Sequence, residues 1–440
     1  MNRSASSVHD PRLEQLERVL RDFEATLAQL PESVVARADR RRAAEHLRQL
    51  GWPSRRDEQW RYAHLGAFDR VQSFTPSAPA RSVALPHALP PALPGFERLV
   101  FVDGVAVAPA LSSHRLHAAG GARAAGSVPL QPRWLEPAWL PEQRLALLND
   151  MFAQDVAALR IDGQASLELC FVNTAAAAGT AVYPRVQLEL SAGSELTLVE
   201  RHIGADEGAA LICAAVTVEL ARASRLTHYQ LQQCSLGAIF CDSLAARLHE
   251  EASYRVRRVQ IGAAVSRTSA RVRLAGRAAA VGWHAIAAAR DEQVNDCVLK
   301  VEHAAPATRT DEMFRGIADG RARVAFSGHI HIEGAAPGSE ARQSLRGLME
   351  GHGEVDLRPR LEINTDEVSA QHGATTGQLD ENLLFYLLSR GIDRGTARTL
   401  LKWAFLNDVL RQIELPQLRS EAERSAAGQL QDVLAVGALA

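Results

Sequence analysis

A single histidine is the first residue of this 440-residue chain whose type and setting suggest chemistry. His372 stands in the segment Q-H-G-A-T-T-G. An imidazole beside a glycine can bind a metal ion or carry a proton, although a structural or surface histidine is the commoner role. Residues up to Thr365 alternate like a strand, and apolar residues from Leu379 onward recur like a helix. The pattern therefore predicts that His372 lies in a loop between them.

Two further histidines share one strand face. His329 and His331 are two residues apart in the segment F-S-G-H-I-H-I-E, so their side chains should point to the same side, together with Glu333. Such spacing occurs in mononuclear metal sites, which also need a distant histidine and an acid. Only His352 and Glu340 stand nearby in the sequence. The pattern favours a solvated outer strand, with a metal site at His329 and His331 as the alternative.

The cysteines do not suggest a reactive or metal-binding set. The chain has Cys170, Cys213, Cys234, Cys241 and Cys297, an odd number without a C-x-x-C pair. A disulfide framework and a zinc ribbon are therefore not expected. The first three lie in alternating apolar segments typical of core positions, and the last two each adjoin an aspartate, which disfavours a thiolate. No P-loop pattern is present, so ATP hydrolysis by this chain is not expected.

Composition excludes several partner classes. The 49 basic and 51 acidic side chains give a net charge of −2, so no nucleic-acid partner is expected. No apolar run is long enough to span a bilayer, and the N-terminus lacks the apolar core of a signal peptide. The sequence predicts a cytoplasmic protein without a membrane partner.

The chain divides into five predicted regions. Helical periodicity marks an N-terminal helical region over 1–73, and repeated prolines mark a linker over 74–98. A small mixed region over 99–164 contains a hairpin across Asp103-Gly104 and a helix from Leu145 to Leu159. A β-rich core over 165–376 and a C-terminal helical domain over 377–440 complete the layout.

An internal repeat runs through the β-rich core. Apolar anchors recur at spacings of 30, 28 and 26 residues, and each is followed by a corner of small residues and an alternating strand. Such periods indicate a solenoid, because each unit buries its core only against its neighbours. Helical candidates are absent between about 165 and 365, and a β-sandwich remains the alternative. The anchors are Leu190, Leu220, Leu248 and Leu274, and the corners lie near Gly193, Ala223, Ala252 and Ala279.

The C-terminal helices have clear start signals and a broad apolar surface. Asp380 and Asp393 are suited to cap two successive helices. In the second helix, apolar residues occupy most of the circumference, which predicts burial on more than one side. Three aromatic side chains of this region, Phe385, Trp403 and Phe405, are candidates for a protein interface, since aromatic residues are frequent interface anchors.

The most specific signal is a long ungapped pattern between Pro359 and Gly391. The order P-x-L-E-I, D-x-V, H-G-A-T-x-G-x-L-D and L-F-Y-L-x-S-R-G resembles the C-terminal signature of the SufB/SufD family of the SUF iron–sulfur cluster assembly system. The H-G-A-T-x-G form is similar to the SufD branch of the family. The resemblance is strongest from about Val298 to Ile413, and D-E-Q-W-R-Y-A-H-L near the N-terminus is similar to a further family segment.

The resemblance implies a fold and a set of partners. The expected fold is mainly β, a right-handed parallel β-helix flanked by N-terminal and C-terminal helical regions. The chain is expected to be a non-catalytic subunit that pairs with a SufB scaffold and docks a SufC ATPase, with Phe385, Trp403 and Phe405 facing or supporting the ATPase.

His372 matches the family histidine at the SufB–SufD interface. The resemblance implies that iron or a nascent iron–sulfur cluster is held there only transiently, and that the chain alone binds no cofactor stably. Relatives often carry a cysteine two residues before this histidine, where the chain has Ala370. Sulfur ligands would therefore come from the other subunit.

Two alternatives stay open at this stage. The first is a homodimer of the same family that acts as its own scaffold, with two copies meeting at the solenoid edge. The second is a β-helix carbohydrate-active enzyme. Such enzymes carry clustered acids or bases on one solenoid face, and the sequence shows no such set.

Overall fold

Two ten-stranded sheets, wound together as a β-solenoid, form the body of the protein. A computed structural model describes residues 11–77, 89–108, 116–118, 143–174, 177–204 and 210–430. Parts of the predicted linker 74–98 and of the predicted mixed region 99–164, and the tail after residue 430, lie outside these residues. Among the helices of the described ranges, none is both long and apolar enough to cross a membrane.

The strands alternate between the two sheets along most of the chain. In chain order they are β1 Glu97–Val102, β2 Val105–Ala108, β3 Leu116–Ala118, β4 Ala157–Ile161, β5 Gln164–Asn173, β6 Ala181–Val182, β7 Arg185–Leu190, β8 Glu195–Gly204, β9 Leu211–Leu220, β10 Arg225–Gln233, β11 Ile239–Leu248, β12 Ser253–Gln260, β13 Val265–Leu274, β14 Ala280–Ala289, β15 Val294–His303, β16 Arg309–Ala318, β17 Arg323–Ile332, β18 Ser339–Met349, β19 Glu354–Ile363 and β20 Val368–Gly377. The helices are α1 Pro11–Thr26, α2 Arg37–Leu50, α3 Arg144–Phe152, α4 Glu381–Ser389, α5 Arg394–Leu410 and α6 Pro416–Gln429.

From β8 onward, neighbouring strands of each sheet are two apart in strand number and parallel. The first sheet runs β2-β1-β5-β8-β10-β12-β14-β16-β18-β20, and the second runs from β19 through the odd strands to β9, β7, β4 and β3. Between β8 and β20 each strand lies in register with the next coil without interruption. The predicted hairpin across Asp103-Gly104 is confirmed as the antiparallel pair β1–β2. Parallel stacking confirms the solenoid and rules out the β-sandwich alternative.

The predicted corners are real turns. Left-handed backbone angles occur at Gly193, Ala223, Glu251 and Ala278, each at or next to a predicted corner. The amide of each corner donates a hydrogen bond of 2.8–3.0 Å to a carbonyl in the following coil. The corners therefore stack on one another and hold successive coils in the same register.

The bore of the solenoid is filled mainly by apolar side chains from both sheets. Trp283 is fully buried there, and the rings of Phe314 and Phe326 stack with centroids 4.4 Å apart. Each coil covers the apolar side chains of its neighbours, so the core is continuous along the axis.

The N-terminal helices cover the outer face of the second sheet. Arg40 of α2 is buried and donates to the carbonyls of Met151 and Ala153, both at 2.9 Å. Trp60 is buried under the guanidinium of Arg267, so it packs in the interior.

One predicted helix is shorter than expected. The apolar run from Leu145 to Leu159 predicts a single helix, but α3 ends at Phe152 and the chain continues as β4. Ala157 to Ile161 pair with β7, so sheet hydrogen bonds replace the last turns of the helix.

The C-terminal helices begin at the predicted caps. The carboxylate of Asp380 accepts from the amide of Asn382, and that of Asp393 accepts from the amide of Thr396. Helices α5 and α6 bury apolar side chains such as Leu406 and Leu418 against the outer face of the first sheet. Burial of α5 on more than one side is thus explained within this chain, by α6 and by the solenoid.

Candidate site at the open end of the solenoid

The last coil of the solenoid is uncovered on one side. β19 and β20 are the terminal strands of the two sheets, and within the described residues each has a strand neighbour on one side only. Their side chains are exposed or half-buried, whereas those of β14 and β16 are mostly buried. An open edge offers unpaired backbone N–H and C=O groups that another chain can pair with.

His372 lies in the middle of β20, and the predicted loop is wrong at this point. β20 pairs in register with β18 from Val368 to Gly377, which places His372 opposite Gln343. The segment has little apolar alternation because neither of its faces is fully covered at the last coil. The period-two signal of a strand is therefore missing from the sequence.

The side chain of His372 belongs to the inward face of β20. Val368 and Ala370, which share its parity, pack against the core of the bore. His372 is exposed because no further coil covers it in the described part of the chain. Its imidazole makes no hydrogen bond to any residue in the described ranges, so both ring nitrogens are accessible at the open end.

A polar file continues from His372 into the bore. We call His372, Gln343, Glu312 and Trp283 the His372 file, because they hold matching positions on β20, β18, β16 and β14. The amide Nε2 of Gln343 donates to Oε1 of Glu312 at 2.9 Å and to the carbonyl of Gly328 at 3.1 Å. A side chain at Gly328 would collide with both, since its Cβ would lie 2.2 Å from Glu312 Oε1.

Glu312 is a fully buried acid that forms no salt bridge among the described residues. Burial raises its pKa to about 8, and the charge of Asp311 contributes in the same direction. The carboxyl therefore holds its proton near neutral pH. Sequence reasoning missed this residue, because R-T-D-E-M-F-R-G does not reveal which of its charged residues face inward.

The raised pKa of Glu312 predicts a specific dependence of stability on pH. Between the ordinary pKa of 4.5 and about 8, the folded chain keeps this proton while the unfolded chain releases it. Stability should therefore fall as pH rises through this window, by a few kcal/mol, since one pKa unit is worth about 1.4 kcal/mol. Urea unfolding at pH 5 and pH 8 should show that Glu312→Gln removes this component. Glu340→Gln, at an exposed acid of β18, is the control, and identical pH dependence in wild type and Glu312→Gln would contradict the assignment.

His329 and His331 lie on the outward face of β17, as predicted. Their Nε2 atoms are 3.3 and 3.7 Å from the two carboxylate oxygens of Glu362 on β19. Glu333 instead pairs with Arg273 at 3.0 Å. In the described ranges, no group of three or more histidine, cysteine, aspartate or glutamate side chains is arranged to hold a metal ion. A metal role for the two histidines stays a prediction.

All five cysteines are buried and free of disulfides. Burial raises the pKa of both Cys170 and Cys297 to about 12, and it also raises the pKa of Cys213 and Cys234. These four thiols are protonated at neutral pH, so none of them is an activated nucleophile.

The three aromatic candidates occupy different environments. Phe385 on α4 is 72% exposed, and its neighbours Leu383 and Tyr386 are also exposed. Trp403 and Phe405 on α5 are partly buried against the apolar cluster between the helices and the first sheet. Phe385 is thus uncovered within the described chain, whereas Trp403 and Phe405 contribute to the packing of α5 against the solenoid.

Comparisons with known proteins identify a family and several relatives. The family model for the SufBD core domain of SUF-system FeS cluster assembly matches residues 171–405. The chain is 30% identical to the iron–sulfur cluster assembly protein SufD of Escherichia coli, over 85% of this chain and 90% of that protein. It is 24% identical to an iron–sulfur cluster assembly SufBD family protein of Synechocystis, over 86% of this chain and 88% of that protein. A SufBD family protein of Mycobacterium leprae is 28% identical over 55% of this chain and 63% of its own length.

Proposed function

The chain belongs to the SufBD family of iron–sulfur cluster assembly proteins, and from that premise we propose that it is a SufD-like, non-catalytic subunit of a scaffold complex. In this proposal it pairs with a SufB-like chain and docks a SufC-like ATPase. The observation that carries the proposal is the open last coil, which presents His372 on an edge strand where a second chain can join.

Pairing at the open coil follows from the physics of sheet edges. A second solenoid that adds one strand to β19 and one to β20 would satisfy their free backbone groups. It would also cover Val355, Leu357 and Leu361, inward-facing side chains of β19 that are only half-buried here. A SufB-like chain is the proposed partner, because a solenoid of the same family has matching strand spacing.

His372 would then lie in the seam between the two chains. A neutral imidazole is a suitable ligand for iron and can also take up a proton. No thiol stands beside it in this chain, since the inward neighbour two residues earlier is Ala370. In this proposal iron and the growing cluster are cargo held at the seam, with sulfur ligands supplied by the SufB-like chain.

The exposed face of α4 is the proposed ATPase contact. The apolar side chains exposed on α4 are Leu383, Phe385 and Tyr386, and this helix is anchored to α5. Exposed apolar and aromatic side chains on a folded surface are typical of protein interfaces. Because the chain has no P-loop, ATP-driven movement would reach the seam through the bound SufC-like subunit.

Phe385→Asp should weaken this contact while leaving the chain folded. The side chain is mostly exposed, so a charge there costs little stability, whereas a charge inside an apolar interface stays unpaired. We expect affinity for the SufC-like ATPase to fall by about tenfold or more, as measured by titration calorimetry. Leu13→Asp, at an exposed leucine of α1, is the matched control. Equal affinity of the two variants for the ATPase would show that the contact does not involve α4.

Purification of the tagged chain from its native host tests the proposal as a whole. We expect a stable assembly with a SufB-like and a SufC-like subunit, identified by mass spectrometry and sized by light scattering. A stable homodimer without these subunits would favour the self-scaffolding alternative, in which two open coils pair with each other. A monomer with glycan-cleaving activity would contradict both, although relatives named as assembly proteins disfavour that result.

A further inference from the structure

The pair Glu312 and Gln343 is a buried polar contact near the open end of the solenoid core. Two residues further along the same strands, the inward-facing positions are the apolar Phe314 and Leu345. A buried polar pair costs free energy wherever its hydrogen bonds are incomplete, and an apolar pair at the same positions would not. This pair is also the one directly behind His372.

The orientation of the Gln343 amide is fixed by its partners. The carbonyl of Gly328 can only accept, so the atom 3.1 Å from it must be the donor Nε2. The same nitrogen donates to Glu312 at 2.9 Å. The amide oxygen Oε1 therefore points away from both, and it is buried without a hydrogen-bond partner in the described part of the chain.

His372 is the neighbour of Gln343 in the file on the side of the open end. Gln343 and His372 are register partners on adjacent parallel strands, which are separated by about 4.8 Å. Both side chains are on the inward face. The imidazole of His372 makes no hydrogen bond in the described ranges, and an imidazole always has at least one N–H to donate.

We propose that Gln343, held in place by Glu312, positions His372 by accepting a hydrogen bond from one imidazole N–H through Oε1. The bond forms when a partner chain covers the last coil and turns the exposed ring into the bore. It fixes one tautomer and leaves the second ring nitrogen, with its lone pair, facing the seam. The inference deepens the proposed function, because it rests on the role of His372 in holding iron or a cluster.

A hydrogen-bond acceptor such as Gln343 Oε1 is needed because a metal-binding imidazole must be held in one orientation and one tautomer. A histidine that binds a metal usually donates its other N–H to a carbonyl or carboxylate, which fixes the ring and raises its basicity. Loss of that partner typically costs 10- to 100-fold in metal affinity or activity. Glu312 supports this arrangement because its protonated, uncharged carboxyl accepts from Gln343 without bringing a negative charge next to the file.

Four variants of the full chain, assembled with SufB-like and SufC-like subunits, test the proposal. Gln343→Leu and Glu312→Leu should each lower the rate of cluster formation about tenfold. Glu312→Gln, which keeps an acceptor for Gln343 Nε2, should recover most of the rate lost in Glu312→Leu. Gln232→Leu makes the same substitution at a buried, inward-facing glutamine of β10 and should form clusters at the wild-type rate.

A spectroscopic readout separates positioning from general damage to the fold. In the complex, with only this chain carrying ¹⁵N-histidine, the His372 signal is identified by its loss in His372→Ala. It should show one tautomer in wild type and in Gln232→Leu, and a mixture in Gln343→Leu. Wild-type tautomer and rate in Gln343→Leu would overturn the positioning role. If His372→Ala itself forms clusters normally, the proposed function fails instead.

Discussion

Replacing His372 with alanine is expected to lower the yield of assembled iron–sulfur cluster at least tenfold while leaving the complex intact. The side chain is exposed and makes no hydrogen bond within the described residues, so its loss should cost little stability. At the seam, however, it would be a ligand of the cluster during assembly, and Ala370 offers no substitute. Iron and acid-labile sulfide per purified complex measure the effect.

The control for His372→Ala is a second exposed histidine close to the same coil. His352 lies in the turn between β18 and β19, away from the bore. We expect His352→Ala to match wild type in cluster yield. If His372→Ala also matches wild type in cells that depend on this system, the histidine has no role in assembly and the site must lie elsewhere.

A lysine at Ala374 should prevent pairing with the SufB-like chain. Ala374 is an inward-facing residue of β20, register partner of Leu345, and it is exposed because the coil is open. A lysine there stays solvated in the isolated chain, but it would be buried without a partner once a second coil covers the end. We expect the dissociation constant to rise by two orders of magnitude or more, since an unpaired buried charge costs several kcal/mol.

Thr375→Lys provides a control one residue away. Successive side chains of a strand point to opposite faces, so a lysine at residue 375 lies outside the bore with the same length and charge. Binding by both variants can be compared with surface plasmon resonance, after thermal unfolding has shown that each is folded. Equal and tight binding would mean that the partner does not cover the bore.

The solenoid could be predicted because its signals are local. Small residues at the corners recur at nearly constant spacing. The left-handed turns at Gly193, Ala223 and Ala278 lie at or next to these predicted corners. The caps at Asp380 and Asp393 were likewise visible, because capping depends on one side chain and the adjacent amides. Structural features that depend on a single turn, or on one repeat of the apolar pattern, can be predicted from a short stretch of sequence.

The site itself could be predicted only in part. His372 stands out as a residue, but its strand could not be recognised, since an edge strand at an open end has no buried face to impose alternation. Glu312 and Gln343 meet only through the register of β16 and β18, across 31 residues of sequence. The inward direction of a side chain becomes known only when the coil is closed, so the file behind His372 was not visible.

Hydrogen exchange of the β20 amides tests the central claim most directly. The full chain is measured by mass spectrometry alone and after addition of a SufB-like subunit, with β10, in the middle of the first sheet, as an internal reference. We predict that peptides covering 368–377 become strongly protected on binding while those covering 225–233 are unchanged. Formation of the complex without added protection at 368–377 would contradict the account, because the partner would then not pair with the open edge that carries His372.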